Sequence, residues 1–382
     1  MTNIADAVEQ QESIETASRM ASVQADNRRL RRELAKAYDE HGKLLDLRDT
    51  IVATTATIAP PAKARTIKPR TSRPSAAMVA LISDLHTGEV VSAAQTDSWG
   101  MFNYAIAERR LSVYGERMIR WLETQRHGYN VDTLYVVCLG DMVSGDIHEE
   151  LSRSAEFPSP VQAVAAGRLL AGWVSEQSAH YKRVVVHAIG GSNHGRLTVK
   201  PQSKDGTLNS YDYITYEYAR ALLLKHKNVT VNHYASKKQL VEINGYQFLC
   251  EHGDSVKAWM GIPWYGTERS MSREARRRLA KIMEDLRRDV EPSGGYDYLL
   301  SGHWHTPFIG PSGKLIVNGS VSGTSEYDHQ AGRHSEPYQV TFMLGKHGVF
   351  APVFWRLDTA EESALVDVDS TANLFGEKEV VL

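Results

Sequence analysis

The chain has 382 residues, 42% of them hydrophobic and 24% charged, and its formal net charge is −2. That is ordinary for a soluble globular protein and supplies no global field for a polyanionic partner, so local charge must do that work. The two cysteines, Cys138 and Cys250, sit inside apolar runs, which excludes a disulfide framework and points to buried thiols in a reducing compartment.

The N-terminal stretch is polar and acidic, without the apolar core of a secretory signal. No apolar run approaches the roughly 18 residues of a membrane span, so a cytoplasmic protein with no membrane partner is expected. Residues 1–55 read as one long helix. Val23, Leu30, Ala37, Leu44 and Ile51 recur every seventh residue, interleaved with Met20, Asn27, Leu34, His41 and Arg48. This alternating seam predicts a coiled-coil-like helix that joins copies into a homo-oligomer; a solvated helix, or one packed on its own domain, is the alternative.

Residues 56–77 form a basic linker with four prolines, the bases Lys63, Arg65, Lys68, Arg70 and Arg73, and no acid. Such an arm suits a phosphate backbone, and equally suits a linker kept soluble by its charge. From residue 78 to about 357 the pattern is that of a folded domain. Strands are expected at 78–83, 133–139, 183–189, 229–234, 246–250 and 298–300, and helices at 104–123, 160–178 and 211–226. Antiparallel strands follow residue 315, and an acidic tail runs from 358 to 382.

Segment 255–295 reads as an insertion. It holds Trp259, Trp264 and Tyr265 beside Lys257, Arg269 and Arg273, an arrangement that suits base stacking or a small local core. A helix over 272–288 follows, with seven bases and three acids, which favours a polyanionic substrate.

Five apolar runs end in polar clusters: Asp84 and His86; Asp141; Asn193 and His194; His252; His303 and His305. The carboxyl ends of strands in α/β sheets are where sites assemble. Imidazole, carboxylate and amide donors without thiolate suit Mn²⁺, Fe or Zn²⁺. Seven of these eight, with His194 set aside, exceed what one tetrahedral ion uses and suit two ions sharing a carboxylate. Two metals ~3.5–4 Å apart neutralise a phosphate ester and activate a bridging water, leaving a neighbouring imidazole free to protonate the departing oxygen.

The ordered set Asp84-Leu85-His86, Gly140-Asp141, Ser192-Asn193-His194, His252 and Gly302-His303-Trp304-His305 resembles the calcineurin-like metallophosphoesterase superfamily over residues 78–357. The resemblance implies an α/β (α+β) fold, a two-sheet αββα sandwich. It implies one metal held by Asp84, His86, Asp141 and His305, and another by Asp141, Asn193, His252 and His303, with His194 as the catalytic acid. The ions implied are two divalent metals, Mn²⁺ first, with Fe, Zn²⁺ or Ni²⁺ as alternatives. The superfamily also includes a repair nuclease that trims DNA ends and some phage-encoded proteins, for which the location would be the host cytoplasm.

Two positions depart from that pattern. Ser192 stands where the family usually has Gly, and Gly195-Arg196 where it has an acid after the histidine. Arg196 is a candidate substrate contact, as is His148; Glu149 and Glu150 read as the start of a helix. The function expected is a phosphodiesterase or nuclease acting on nucleic acid. The alternatives are a phosphatase or cyclic-nucleotide hydrolase, or an oligomeric nucleic-acid-binding protein with a vestigial site.

Overall fold

The chain divides into two units, Met1–Arg70 and Thr71–Leu382. A computed structural model describes residues 4–57, 72–204, 206–258 and 263–365. Trp259, residues 58–71 of the linker and residues 366–382 of the tail lie outside the described residues. The first unit holds one helix, α1 (Ile4–Thr57), on which Met20, Val23, Leu30, Leu34 and Leu44 are all exposed.

The second unit runs β1 (Ser75–Ile82), α2 (Tyr104–Arg126), β2 (Asn130–Cys138), α3 (Glu149–Ser154), α4 (Ser159–Ser178), β3 (Arg183–Ala188), α5 (Tyr211–Leu223) and β4 (Val229–His233). It continues with β5 (Lys238–Ile243), β6 (Tyr246–Glu251), α6 (Pro263–Arg287), β7 (Tyr298–Ser301), β8 (Phe308–Ile309), β9 (Leu315–Val317), α7 (Glu326–Gln330), β10 (Tyr338–Gly345) and β11 (Gly348–Arg356). A six-stranded sheet has the order β11-β10-β1-β2-β3-β4, and a five-stranded sheet the order β5-β6-β7-β9-β8. Strands β1 to β4 are parallel, with β10 antiparallel on β1.

Period-two alternation explains how these sheets stack. In β1, Met78, Ala80 and Ile82 face a layer that includes Tyr114, Met118, Ala166, Leu170 and Tyr216 from α2, α4 and α5. The intervening Val79 and Leu81, with Phe342 beside them on β10, face the second sheet, against Phe248, Cys250, Leu300 and Ile316. Strands buried on both faces read as near-continuous apolar runs, which is how β1, β2 and β3 appear in the sequence. The result is the two-sheet sandwich of mixed α/β class that the resemblance implied. Cys138 packs in the helical layer and Cys250 between the sheets, both as free, buried thiols.

Four expectations change, the largest at α6, which begins at Pro263 where the helix was expected from residue 272. Strand β9 was expected among antiparallel strands; it pairs parallel with β7 and antiparallel only with the two-residue β8. Helix α2 runs three residues further than expected, to Arg126, and α5 stops at Leu223 instead of 226. Strand β5, which pairs antiparallel with β6, was not anticipated, because its alternating polar residues leave it only half-buried at the sheet edge.

Candidate metal centre

Every strand end that the sequence marked converges on one place. Three groups of side chains have ligand atoms within 4.8 Å of one another: Asp84, His86 and His305; His86, Asp141 and His194; Asp141, His252 and His303. Asp141 belongs to two of them. Asn193 joins the third group, its Oδ1 lying 2.9 Å from His252 Nε2.

The backbone works against its own preferences to achieve this. Among the described residues ten non-glycine residues have positive φ, and Asp84, His86, Asp141, His303 and His305 are five of them. Asp and His tolerate that region better than most residues, but such conformations concentrate where a site demands them. Two glycines make the close approach possible. A Cβ on Gly140 would meet Ser192 Cβ at 2.8 Å and the His252 ring at 3.2 Å. A Cβ on Gly302 would meet Asp84 Oδ2 at 2.7 Å. Each sheet thus carries a glycine that clears space for a site residue of the other.

The imidazoles are oriented by main-chain carbonyls. His252 Nδ1 donates to Leu139 O at 2.8 Å, which turns Nε2 toward Asp141 Oδ2 at 3.0 Å as well as Asn193 Oδ1. A neutral His252 would aim a lone pair at two oxygen lone pairs, so this corner requires a proton or a cation. Likewise His194 Nδ1 donates to Ser144 O at 2.8 Å, leaving Nε2 as the free ring nitrogen. His86 Nε2 and His305 Nε2 lie 3.1 Å apart. Adjacent ligands about 2.1 Å from one ion sit about 3 Å from each other, so the spacing fits a shared metal.

Electrostatics point the same way. Burial alone would raise the pKa of Asp141, but the His252 and His194 charges outweigh it and hold the carboxyl well below its ordinary range. Burial raises Asp84, and the nearby His252 and His305 offset only part of that. Burial opposes the His252 cation, yet Asp141 and Asp84 push its pKa up to about 10. Desolvation and the neighbouring His252 push half-buried His303 down to about 3. Acids and imidazoles so close together, with His86 Nδ1 buried and without a hydrogen-bond partner, form a donor set suited to divalent cations.

The remaining candidates lie at the margin. His148 caps α3, with Glu149 and Glu150 in its first turn, and its ring is 6.0 Å from that of His194. Arg196 follows two residues after His194 and reaches only Val199 O, at 3.4 Å. Helix α6 is less basic in effect than its composition suggests. Glu274 pairs with Arg277 and Arg278, Asp285 with Lys281, and Glu284 with Arg287 and Arg288.

Sequence reasoning missed three acids. Asp212, fully buried in α5, accepts from Met142 N, Gly191 N, Ser192 N and Ser192 Oγ. It accounts for both departures from the family pattern. Ser192 donates to it at 2.6 Å, and a side chain at position 195 would put its Cβ 2.8 Å from the Asp212 carboxyl carbon. Asp328, on α7, lies 3.7 Å from His305 Nδ1, and Glu89 lies 3.6 Å from His86 Nδ1. Burial of Glu89 pushes its pKa up to about 7. In the sequence Asp212 stands in the first turn of an expected helix and Asp328 in a stretch read as strands, so nothing local marked them.

Neither a protein-family model nor a curated protein matches the chain. Among solved structures, a Streptococcus pneumoniae protein described as a predicted phosphoesterase aligns at 13% identity and TM-score 0.24, over 58% of this chain and 97% of that one. The Thermus thermophilus sulfate thiohydrolase SoxB aligns at 11% identity and TM-score 0.29, over 81% of this chain and 61% of its own. Chaetomium thermophilum Vps29 aligns at 10% identity and TM-score 0.25, over 74% and 99%. These overlaps are loose, and the chemistry follows from the site itself. No helix among the described residues is long and apolar enough to cross a membrane.

Proposed function

We propose that the protein is a dinuclear metal-dependent phosphoesterase of the calcineurin-like metallophosphoesterase kind, acting on phosphodiesters of nucleic acid. The observation that carries this reading is the sharing of Asp141 between two ligand groups, one completed by His252 and His303 and the other by His86 and His194. Asp84, His86, Asp141 and His305 would hold one ion, and Asp141, Asn193, His252 and His303 the other. Mn²⁺ suits these nitrogen and oxygen donors, as do Fe, Zn²⁺ and Ni²⁺. Such a pair supplies charge neutralisation of the phosphate and a lowered pKa for water.

The chain's own residues do the rest. His194 donates its backbone N–H to Asp141 Oδ1 at 2.9 Å, which ties the proton-carrying side chain to the shared carboxylate. With Nδ1 committed to Ser144 O, His194 Nε2 is the atom that would deliver a proton to the departing oxygen. The carbonyl takes the orienting role that the family gives to an acid. The nucleic-acid clause is supported by the basic linker and by the bases flanking the His194 loop.

A substrate panel with Mn²⁺ tests this: bis-p-nitrophenyl phosphate, p-nitrophenyl phosphate, cyclic nucleotides, RNA, and single- and double-stranded DNA. Hydrolysis of the model diester and of at least one nucleic acid is expected. Preference for the monoester moves the reading to a phosphatase, and activity on the diester alone removes the nucleic-acid clause. The exposed seam of α1 supports a homo-oligomer formed through that helix. Deletion through Ile51 should then lower the mass seen by light scattering; an unchanged mass defeats that part.

A further inference from the structure

We propose that the recess between Arg196 and Lys237 binds a second phosphate of the substrate, so that the preferred substrate carries a phosphate neighbouring the scissile one. This rests on the reading that the adjacent centre hydrolyses phosphoesters. The recess opens beside the loop that follows β3 and carries Asn193 and His194. It is a small, partly open recess of about 20 Å³, with Arg196, Thr198, Gln202, Asn209 and Lys237 among its walls.

Among the described residues neither cation has an acidic partner. Arg196 is half-buried, and its Nε is buried with no hydrogen-bond partner. Its backbone is fixed by a bridge to Ser210, the N-cap of α5. Lys237, immediately before β5, has no ion-pair partner among the described residues. Its stem lies across two glycines: a Cβ on Gly191 or on Gly206 would come within 3.0 Å of Lys237 Cε. The lysine is therefore positioned by close packing, and the sequence keeps those two places bare for it.

Two unpaired cations lining one recess repel each other unless an anion sits between them. A phosphate has the charge and the acceptors to do so, with the amides of Gln202 and Asn209 as further donors. The N-terminal end of α5, at Ser210, adds positive potential. Asp212, in that first turn, offsets part of this, with its carboxylate turned to the backbone of Met142, Gly191 and Ser192 beneath the loop. Arg196 joins the recess to the loop of the centre. Arg196 is two residues from His194, and its charge helps burial and His194 lower the pKa of His148, whose ring is 6.0 Å from that of His194. An internal phosphodiester of a nucleic-acid strand has such a neighbouring phosphate; an isolated small diester does not.

The test uses thymidine 5′-(p-nitrophenyl phosphate) with and without a 3′-phosphate, on the full chain with Mn²⁺. The 3′-phosphorylated compound should have a KM lower by about tenfold, the yield of one charge-assisted contact. Lys237→Met should bring the ratio of the two KM values close to one, and Lys237→Arg should preserve it. A second measurement separates this proposal from the hydrolase reading: calorimetric titration of the chelator-treated full chain with inorganic phosphate. Binding in the wild type that is lost in the folded R196Q/K237M variant supports the recess even if neither nucleotide is hydrolysed. Equal phosphate binding by both proteins, or a KM ratio that Lys237→Met leaves unchanged, overturns it.

Discussion

The two sheets contribute different chemistry to the centre. The six-stranded sheet brings both carboxylates, Asp84 and Asp141, together with His86, Asn193 and His194. The five-stranded sheet brings only imidazoles, His252, His303 and His305. Two of the three ligand groups draw on both sheets, and only His86, Asp141 and His194 come from one. The acids and the imidazoles that match them therefore meet only when the sheets are packed face to face. The apolar layer of Val79, Leu81, Val137, Phe248, Leu300 and Phe342 is what holds that alignment.

The sharpest way to break this arrangement is at the shared carboxylate. Asp141→Asn should cut kcat by more than about a hundredfold, beyond the usual cost of losing a supporting partner of a ligand, and should lower bound metal while leaving circular dichroism unchanged. Next is the layer between the sheets. Phe248, fully buried and stacked 5.0 Å from Tyr298, should cost about 3–5 kcal/mol when replaced by Ala, read by denaturant unfolding. Its variant should also lose metal affinity, whereas Met118→Ala, in the helical layer, should lose stability with metal affinity kept. Equal metal loss in both would remove the distinction between the layers.

A third test addresses one sheet alone. Asp212→Asn leaves one carbonyl oxygen where two carboxylate oxygens accepted four donors, so ~1–3 kcal/mol of stability should be lost. Turnover should fall through misplacement of Asn193 and His194, while His303 and His305 keep their positions.

The last effect concerns pH and appears only as the solution is acidified. His187 lies on the inter-sheet face between Tyr135 and Tyr234, each ring 6.0 Å away, and burial with the nearby Arg183 pushes its pKa down to about 4. Folding favours its neutral form, so its contribution is intact above the ordinary value near 6.5 and declines as pH falls toward 4. The loss is at most about 3 kcal/mol. His187→Gln should flatten the stability profile between pH 7 and 4 in urea melts.

Much of this centre was legible before any coordinates. Each of the five clusters stands at the end of an apolar run, and a strand end is a local property that period-two burial writes into the chain. Gly140 and Gly302 stand within those same clusters, immediately before Asp141 and His303. The direction of β9 was not legible, because a three-residue apolar run is compatible with either pairing. Nor was the self-compensation of α6 weighed properly. Counting its bases overlooked that Glu274, Glu284 and Asp285 stand three or four residues from five of them, within reach on one helix.

What lay wholly beyond the sequence is the set of contacts between segments distant in the chain. Asp212 reaches a loop twenty residues earlier, Ser144 orients His194, and Lys237 crosses Gly191 and Gly206. Local pattern chooses which residues stand at strand ends, because backbone geometry repeats every two residues. Which carbonyl orients a ring, and which acid holds a loop, depends on how two sheets pack, and that is set by side-chain volume across the whole domain.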